Sequence, residues 1–141
     1  MVTINKMPQM YRCFLLFGCI GAGLSVALGA FAAHGLKARL SDKMLSAFQT
    51  GADYQAYHSL AILVIVILAS TASEARPRRY LRTSISLMLA GIVLFSGSLY
   101  ALALSGITKL GMITPIGGVL FLLAWFLKMA SLVKRIIVFL M

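Results

Sequence analysis

The 141-residue chain has almost no acid: Asp42, Asp53 and Glu74 are its only carboxylate side chains. Charged residues of both signs make up 11% of it, against about 25% in an ordinary soluble domain. Only two cysteines occur, Cys13 and Cys19. Six residues apart on one helix, they point to different faces, which reads as two free thiols and not as a disulfide framework. No Gly-x-Ser-x-Gly elbow is present, and no acid is placed to orient a histidine base beside Ser96 or Ser98, so nucleophilic catalysis lacks a complete set. Reading the spans from hydropathy also leaves all three acids outside them, which argues against a proton-coupled transporter.

In place of charge there is apolar length. Hydrophobic residues make up 61% of the chain, and the mean hydropathy is +0.97. A helix needs about 20 apolar residues to cross the hydrocarbon core of a bilayer. Four stretches qualify, at about residues 13–33, 57–73, 84–104 and 112–132. The second is the shortest and can begin a turn earlier, with Tyr54 and Tyr57 at the interface, where aromatic belts sit. The expected fold is an all-α integral membrane four-helix bundle formed as one domain over residues 1–141. Residues 41–55 are expected to form a short interfacial helix between spans one and two, with Met44, Leu45 and Phe48 toward lipid.

The net charge of +10 does not point to nucleic acid, because the basic residues sit in short loops beside apolar spans. Lys6, Arg12, Arg76, Arg78, Arg79, Arg82, Lys134 and Arg135, with Lys128 if it snorkels there, share one side. Lys37, Arg39, Lys43 and Lys109 hold the other. Eight or nine positives against four place both termini in the cytoplasm by the positive-inside rule, in a bacterial inner membrane. The cluster of Arg76, Arg78, Arg79 and Arg82 is first a topology anchor and second a candidate site for anionic lipid heads. A cleaved signal peptide ending at Ala30-Phe31-Ala32 is the competing reading of span one. Against it, the apolar run is too long, and Gly21, Ser25, Gly29 and Ala33 recur every four residues as a small-residue ridge suited to a neighbouring helix.

With this topology the unusual polar residues gather at the outer end. His34 closes span one, and Tyr54 and His58 open span two. Ser96, Ser98 and Tyr100 lie near the end of span three, and Thr114-Pro115 begins span four, with Thr as N-cap and Pro at the first helical position. A spacing of 4-3 through Ser84, Met88, Gly91, Phe95, Ser98, Leu102 and Ser105 turns Ser98 to the bundle. His34 and His58 flank one loop and are expected to face each other across the bundle. With Asp53 as their only nearby acid, they are a thin metal site, since structural zinc takes four protein ligands and catalytic zinc three. No cofactor is implied.

Four segments resemble a known family. Gly29-Ala30-Phe31-Ala32-Ala33-His34-Gly35-Leu36 is similar to the signature of the YgdD/YwdK-like small membrane proteins. Phe48-Gln49-Thr50-Gly51 with Tyr54-Gln55-Ala56-Tyr57-His58-Ser59-Leu60, then Phe95-Ser96-Gly97-Ser98-Leu99-Tyr100, then Leu110-Gly111-Met112-Ile113-Thr114-Pro115-Ile116-Gly117-Gly118 resemble its further motifs. The likeness covers about residues 13–130. It departs from the family pattern at Ala124 before Trp125, where Gly is expected, and in the basic C-terminal segment. The resemblance implies a four-helix membrane protein of uncharacterised function and supplies no activity. The leading functional expectation is a non-enzymatic structural or accessory membrane component, acting in the lipid bilayer as a homo-oligomer or with other membrane proteins. The alternative is a protein that binds or conducts a small ligand, lipid or ion through an outer-leaflet polar pocket. The third is a membrane enzyme using His34 and His58.

Overall fold

Apolar residues with neither proline nor charge between Cys13 and Ala33 dictate one long helix, and a computed structural model of the chain shows it as α1, Gln9–Phe31. The structure describes residues 7–71 and 78–140. Helix α1 runs on through a π-helical turn, Ala32–Leu36. After a tight turn come α2, Asp42–Thr71, and α3, Arg78–Gly91. A second π-turn, Ile92–Ser96, joins α3 to α4, Gly97–Ser105. A 3-10 turn, Thr108–Met112, leads into α5, Thr114–Leu140. Among the described residues there is no strand. Four continuous helical segments, Gln9–Leu36, Asp42–Ser70, Arg79–Ser105 and Thr108–Val133, are long and apolar enough to cross a membrane. At 1.5 Å per residue each is about 40 Å long, more than the roughly 30 Å of hydrocarbon.

Successive spans run antiparallel, and small residues set how closely they approach. A side chain on Gly18 would collide with Leu63, and one on Gly21 with the Ser59 hydroxyl. On the other side of α2, Gly51 lies against Ser96 and Tyr100. Gly91 receives the ring of Phe121, and Gly117 lies against the backbone of Phe95. An apolar core of Ile62, Ile65, Val66, Ile85, Met88 and Ala124 fills the end nearer the chain termini. Ala32, Leu36, Phe48 and Ala103 form a second core at the opposite end. Gly106 ends α4 in the left-handed conformation, φ 71°, which costs glycine nothing.

The structure corrects several expectations. Residues 41–55 do not form a separate interfacial helix. No helix-breaking residue separates them from span two, so the helix runs unbroken from Asp42, and Phe48, Ala52 and Gln55 are buried in the bundle. Asp53 thereby lies on the same continuous helix as the second span. The small-residue ridge also differs. Gly21 and Ser25 do pack inward, but Gly29 meets open space and Ala33 is exposed. A strict four-residue repeat drifts about 40° per step around a 3.6-residue helix. The contact face of α1 instead follows Gly18, Gly21, Ser25, Ala32 and Leu36. Lys6, Glu74 and Arg76 lie outside the described residues.

Candidate functional site

Gln55 is the polar hub of the bundle. Its stripe on α2, through Ala52, Gln55, Ser59, Ile62 and Val66, is buried throughout, so its amide must find partners inside the protein. Its Nε2 donates to the carbonyl of Gly21 on α1 at 2.9 Å. Its Oε1 accepts from the Tyr100 hydroxyl on α4 at 3.1 Å. One side chain therefore ties three helices together. Beside it, Ser98 donates its only proton to the Phe95 carbonyl at 2.9 Å. The hydroxyl of Thr114, 2.8 Å from Ser98 Oγ, is then the donor in that pair. Thr114 is thus the first residue of α5 and bonds across to α4; the carbonyl that receives the first turn belongs to Ile113, which accepts from Ile116 and Gly117. Farther along, Ser84 Oγ donates to the Ala124 carbonyl at 2.9 Å.

His58 is buried among aromatic rings. It stacks on Phe121 with centroids 3.5 Å apart and planes 11° from parallel. Tyr54 stacks in turn on Phe95, 4.5 Å away. The Nδ1 of His58 lies 2.8 Å from the Tyr54 carbonyl, which can only accept, so Nδ1 carries the proton. The lone pair of Nε2 then faces the indole N–H of Trp125 at 3.4 Å. Both ring nitrogens are engaged by the protein itself.

His34 is elsewhere. It is exposed on the first π-turn and has no hydrogen-bond or ring partner among the described residues. Gly21 is the residue of α1 that stands opposite Ser59, and His34 follows it by thirteen residues, about 20 Å along the axis. The expected meeting of His34 and His58 therefore does not occur. Antiparallel helices bring together residues at one depth, and the N-terminal extension of α2 moves His58 well down its helix. Among the described residues no group of three His, Cys, Asp or Glu side chains could hold a metal. Of the remaining candidates, Tyr54 and His58 adjoin, Ser98 and Thr114 bond to each other, and Tyr100 bonds to Gln55. Ser96 is fully buried against α2, and its hydroxyl, like that of Ser59, has no hydrogen-bond partner. The π-turn explains why Ser96 and Ser98 both point inward: the extra residue rotates one more side chain onto the packed face.

Gln55, Ser59, Phe121 and Trp125 escaped the sequence reading as site residues. The i, i+3, i+4 spacing from Ala52 to Val66 contained the signal for the first two; Ser59 already lay within the expected span 57–73, and Gln55 joins it once the span is started earlier.

A family model described as protein of unknown function (DUF423) matches residues 28–118. The chain belongs to the DUF423 family. Its matched region runs from Leu28 through the Gly117-Gly118 pair and so takes in Gln55, His58, Ser98, Tyr100 and Thr114, while their partners Gly21, Phe121 and Trp125 lie outside it. The UPF0382 membrane protein YwdK of Bacillus subtilis (strain 168) is 45% identical over 123 residues, covering 87% of this chain and 98% of that protein. A UPF0382 membrane protein of Haemophilus influenzae is 46% identical over 116 residues, covering 82% and 90%. One of Staphylococcus aureus (strain bovine RF122 / ET3-1) is 42% identical over 129 residues, covering 87% and 97%. No solved structure matches the chain. The protein is an integral membrane protein of a family whose function is uncharacterised, as the resemblance of its motifs implied.

Proposed function

We propose that this protein is a structural or accessory component of the bacterial inner membrane and carries out no chemistry of its own. The reading rests on how its interior polar groups are used. Both nitrogens of His58 are engaged, by Tyr54 and Trp125, and its face is covered by Phe121. That leaves no lone pair for a metal and no free N–H for a proton relay. Gln55, Ser84, Ser98 and Thr114 are likewise committed to bonds between or within helices, the usual use of such residues in membrane bundles. Charge asymmetry supports an orientation with both termini in the cytoplasm. Arg79 and Arg82, exposed at the start of α3, are proposed with Arg76 and Arg78 to meet anionic lipid heads there.

The test is reconstitution of the purified protein into vesicles loaded with a pH dye and bathed in successive monovalent salts. The expected result is leakage equal to that of protein-free vesicles. A saturable flux that His58→Phe abolishes, while the variant stays folded, would overturn the reading.

One observation favours a second reading, the outer-leaflet pocket. The hydroxyls of Ser59 and Ser96 are buried and unbonded, at a cost of about 1–3 kcal/mol each. Ser59 follows Gln55 by one turn and Ser96 precedes Tyr100 by one turn, so on these antiparallel helices both lie on the side of the Gln55–Tyr100 bond nearer the chain termini. A small hydroxylated or amide ligand seated there would satisfy both. Thermal stabilisation by a panel of short alcohols and amides, lost in Ser59→Ala and Ser96→Ala, would favour this reading; no shift with any of them would dismiss it.

A further inference from the structure

Two buried hydroxyls of this chain are turned away from their own helices. Serine and threonine in a helix ordinarily bond back to a carbonyl three or four residues earlier. Ser25, Thr50, Ser70, Ser98 and Ser105 all do so. Ser59 and Ser96 do not, although they are 1% and 0% exposed. Apolar side chains give such a group nothing in exchange for the water it leaves, and alanine would fill either position with no polar atom to satisfy.

Their places in the fold bring them to one spot. Ser59 follows Gln55 by four residues on α2, and Ser96, the last residue of the second π-turn, precedes Tyr100 by four. Residues four apart on a helix lie one above the other, with Cβ atoms about 5–6 Å apart. Helical side chains lean toward the N-terminus of their own helix. Ser59 therefore leans toward Gln55, and Tyr100 leans over Ser96. Gln55 and Tyr100 are themselves bonded at 3.1 Å, so the four side chains form one patch. Gly21 lies against Ser59, and Gly51 against both Tyr100 and the Ser96 carbonyl, so the helices close on it.

The hydrogen-bonding capacity left in that patch is specific. Gln55 carries two N–H donors on Nε2 and uses one on the Gly21 carbonyl. The Tyr100 oxygen donates to Gln55 and accepts from none of the described residues. Ser59 and Ser96 each keep a donor and their acceptor lone pairs. An occupant has to accept and donate in several directions within little space. A carbon added to Gly21 would strike the Ser59 hydroxyl, and one added to Gly51 would come within 2.9 Å of the Tyr100 ring. Water has one heavy atom, two donors and two acceptors, and a buried water typically makes about three bonds to groups otherwise unsatisfied.

We infer that an internal water molecule is bound between Gln55, Ser59 and Ser96, accepting the second Nε2 proton and bonding both hydroxyls. It rests on the second reading given above, that the two hydroxyls face a site, and it makes the smallest hydroxylic molecule the resident there. The Gln55 tie then reaches beyond α1 and α4 to the second π-turn. The extra residue of that turn brings Ser96 onto the packed face beside Ser98, and so supplies one of the ligands of the water.

The experiment uses the full chain in lipid vesicles with isotope-labelled nitrogen in the glutamine side chains. Gln9, Gln49 and Gln55 are the only glutamines, and Gln55→Leu assigns the buried one. Magnetisation is passed from water protons to the side-chain amides by solid-state nuclear magnetic resonance, at mixing times too short for relay through the protein. Gln55 Nε2 is expected to receive it. Ser59→Ala and Ser96→Ala should each weaken the transfer several-fold, and the two together should abolish it. Ser84→Ala, which removes a buried hydroxyl bonded to the Ala124 carbonyl, should leave it unchanged. Thermal melts give an independent sign. Removing a hydroxyl that is bonded to water lowers the melting temperature, whereas removing an unsatisfied one raises it; both alanine variants are expected to melt lower. Wild-type protein whose Gln55 amide receives nothing from water, or a higher melting temperature in both variants, would overturn the bound water. Alcohols and amides that shift no melting temperature, at a Gln55 that water does reach, would dismiss the added ligand and leave the water standing. Stabilisation by an alcohol at a Gln55 that water never reaches would keep the site and overturn water as its resident.

Discussion

Replacing Gln55 with Leu tests the bundle where three helices depend on one side chain. The substitution removes the bonds to the Gly21 carbonyl and from the Tyr100 hydroxyl. Interhelical hydrogen bonds in membranes average about 0.6 kcal/mol each, so the direct loss is about 1.2 kcal/mol. Stranding the Tyr100 hydroxyl adds a desolvation cost of about 1–3 kcal/mol when fully buried. Tyr100 is only half-buried, which points to the lower end. Gly21 keeps its own helical bond, so its carbonyl adds little. The net expectation is a destabilisation of about 2 kcal/mol. Trp125, the single tryptophan, is 47% exposed but holds its indole N–H against His58, so loss of that contact reports unfolding by fluorescence during titration with a denaturing detergent. The decisive variant is the double one. Tyr100→Phe removes the stranded hydroxyl, so adding it to Gln55→Leu should cost less than in the wild type. The coupling should be about 0.5–1.5 kcal/mol. Strict additivity, or a Gln55→Leu protein as stable as the wild type, would refute the reasoning.

Gly21→Leu should lower detergent stability by about 1–3 kcal/mol, since even its Cβ would meet the Ser59 hydroxyl, whereas Gly29→Leu should be close to neutral because that position faces open space; equal effects of the two in a thermal melt would contradict the register of α1 on α2. Gly117→Ala should impair folding more than a one-carbon change usually does, because the new carbon would press on the Phe95 backbone, which cannot rotate away; a melting temperature unchanged from wild type would show that α5 sits farther from the second π-turn. His58→Ala should destabilise the bundle and shift Trp125 emission, while His34→Ala should do neither, given that only His58 is buried and bonded. Reporter fusions at the C-terminus and after Lys109 should report opposite compartments, with the C-terminus cytoplasmic; the reverse assignment would overturn the orientation drawn from charge.

The architecture was legible because hydropathy acts locally. A lipid-solvated helix needs only its own backbone bonds and apolar side chains, and both are properties of a contiguous segment. The four spans, the inward face of Ser84, Met88 and Ser98, and the burial of His58 could all be read from spacing along single helices. What tertiary structure alone decided was register between helices. The sequence placed His34 and His58 on either side of one loop, but it could not say how far α2 extends before the membrane-level contacts begin. That extension separated the histidines, brought Gln55 between Gly21 and Tyr100, and put Asp53 on the helix of the second span. The close contacts of Gly21 with Ser59 and of Gly117 with Phe95 fixed the offset. Such contacts depend on the shapes of two surfaces at once, and a pattern read along one strand of sequence contains only one of them.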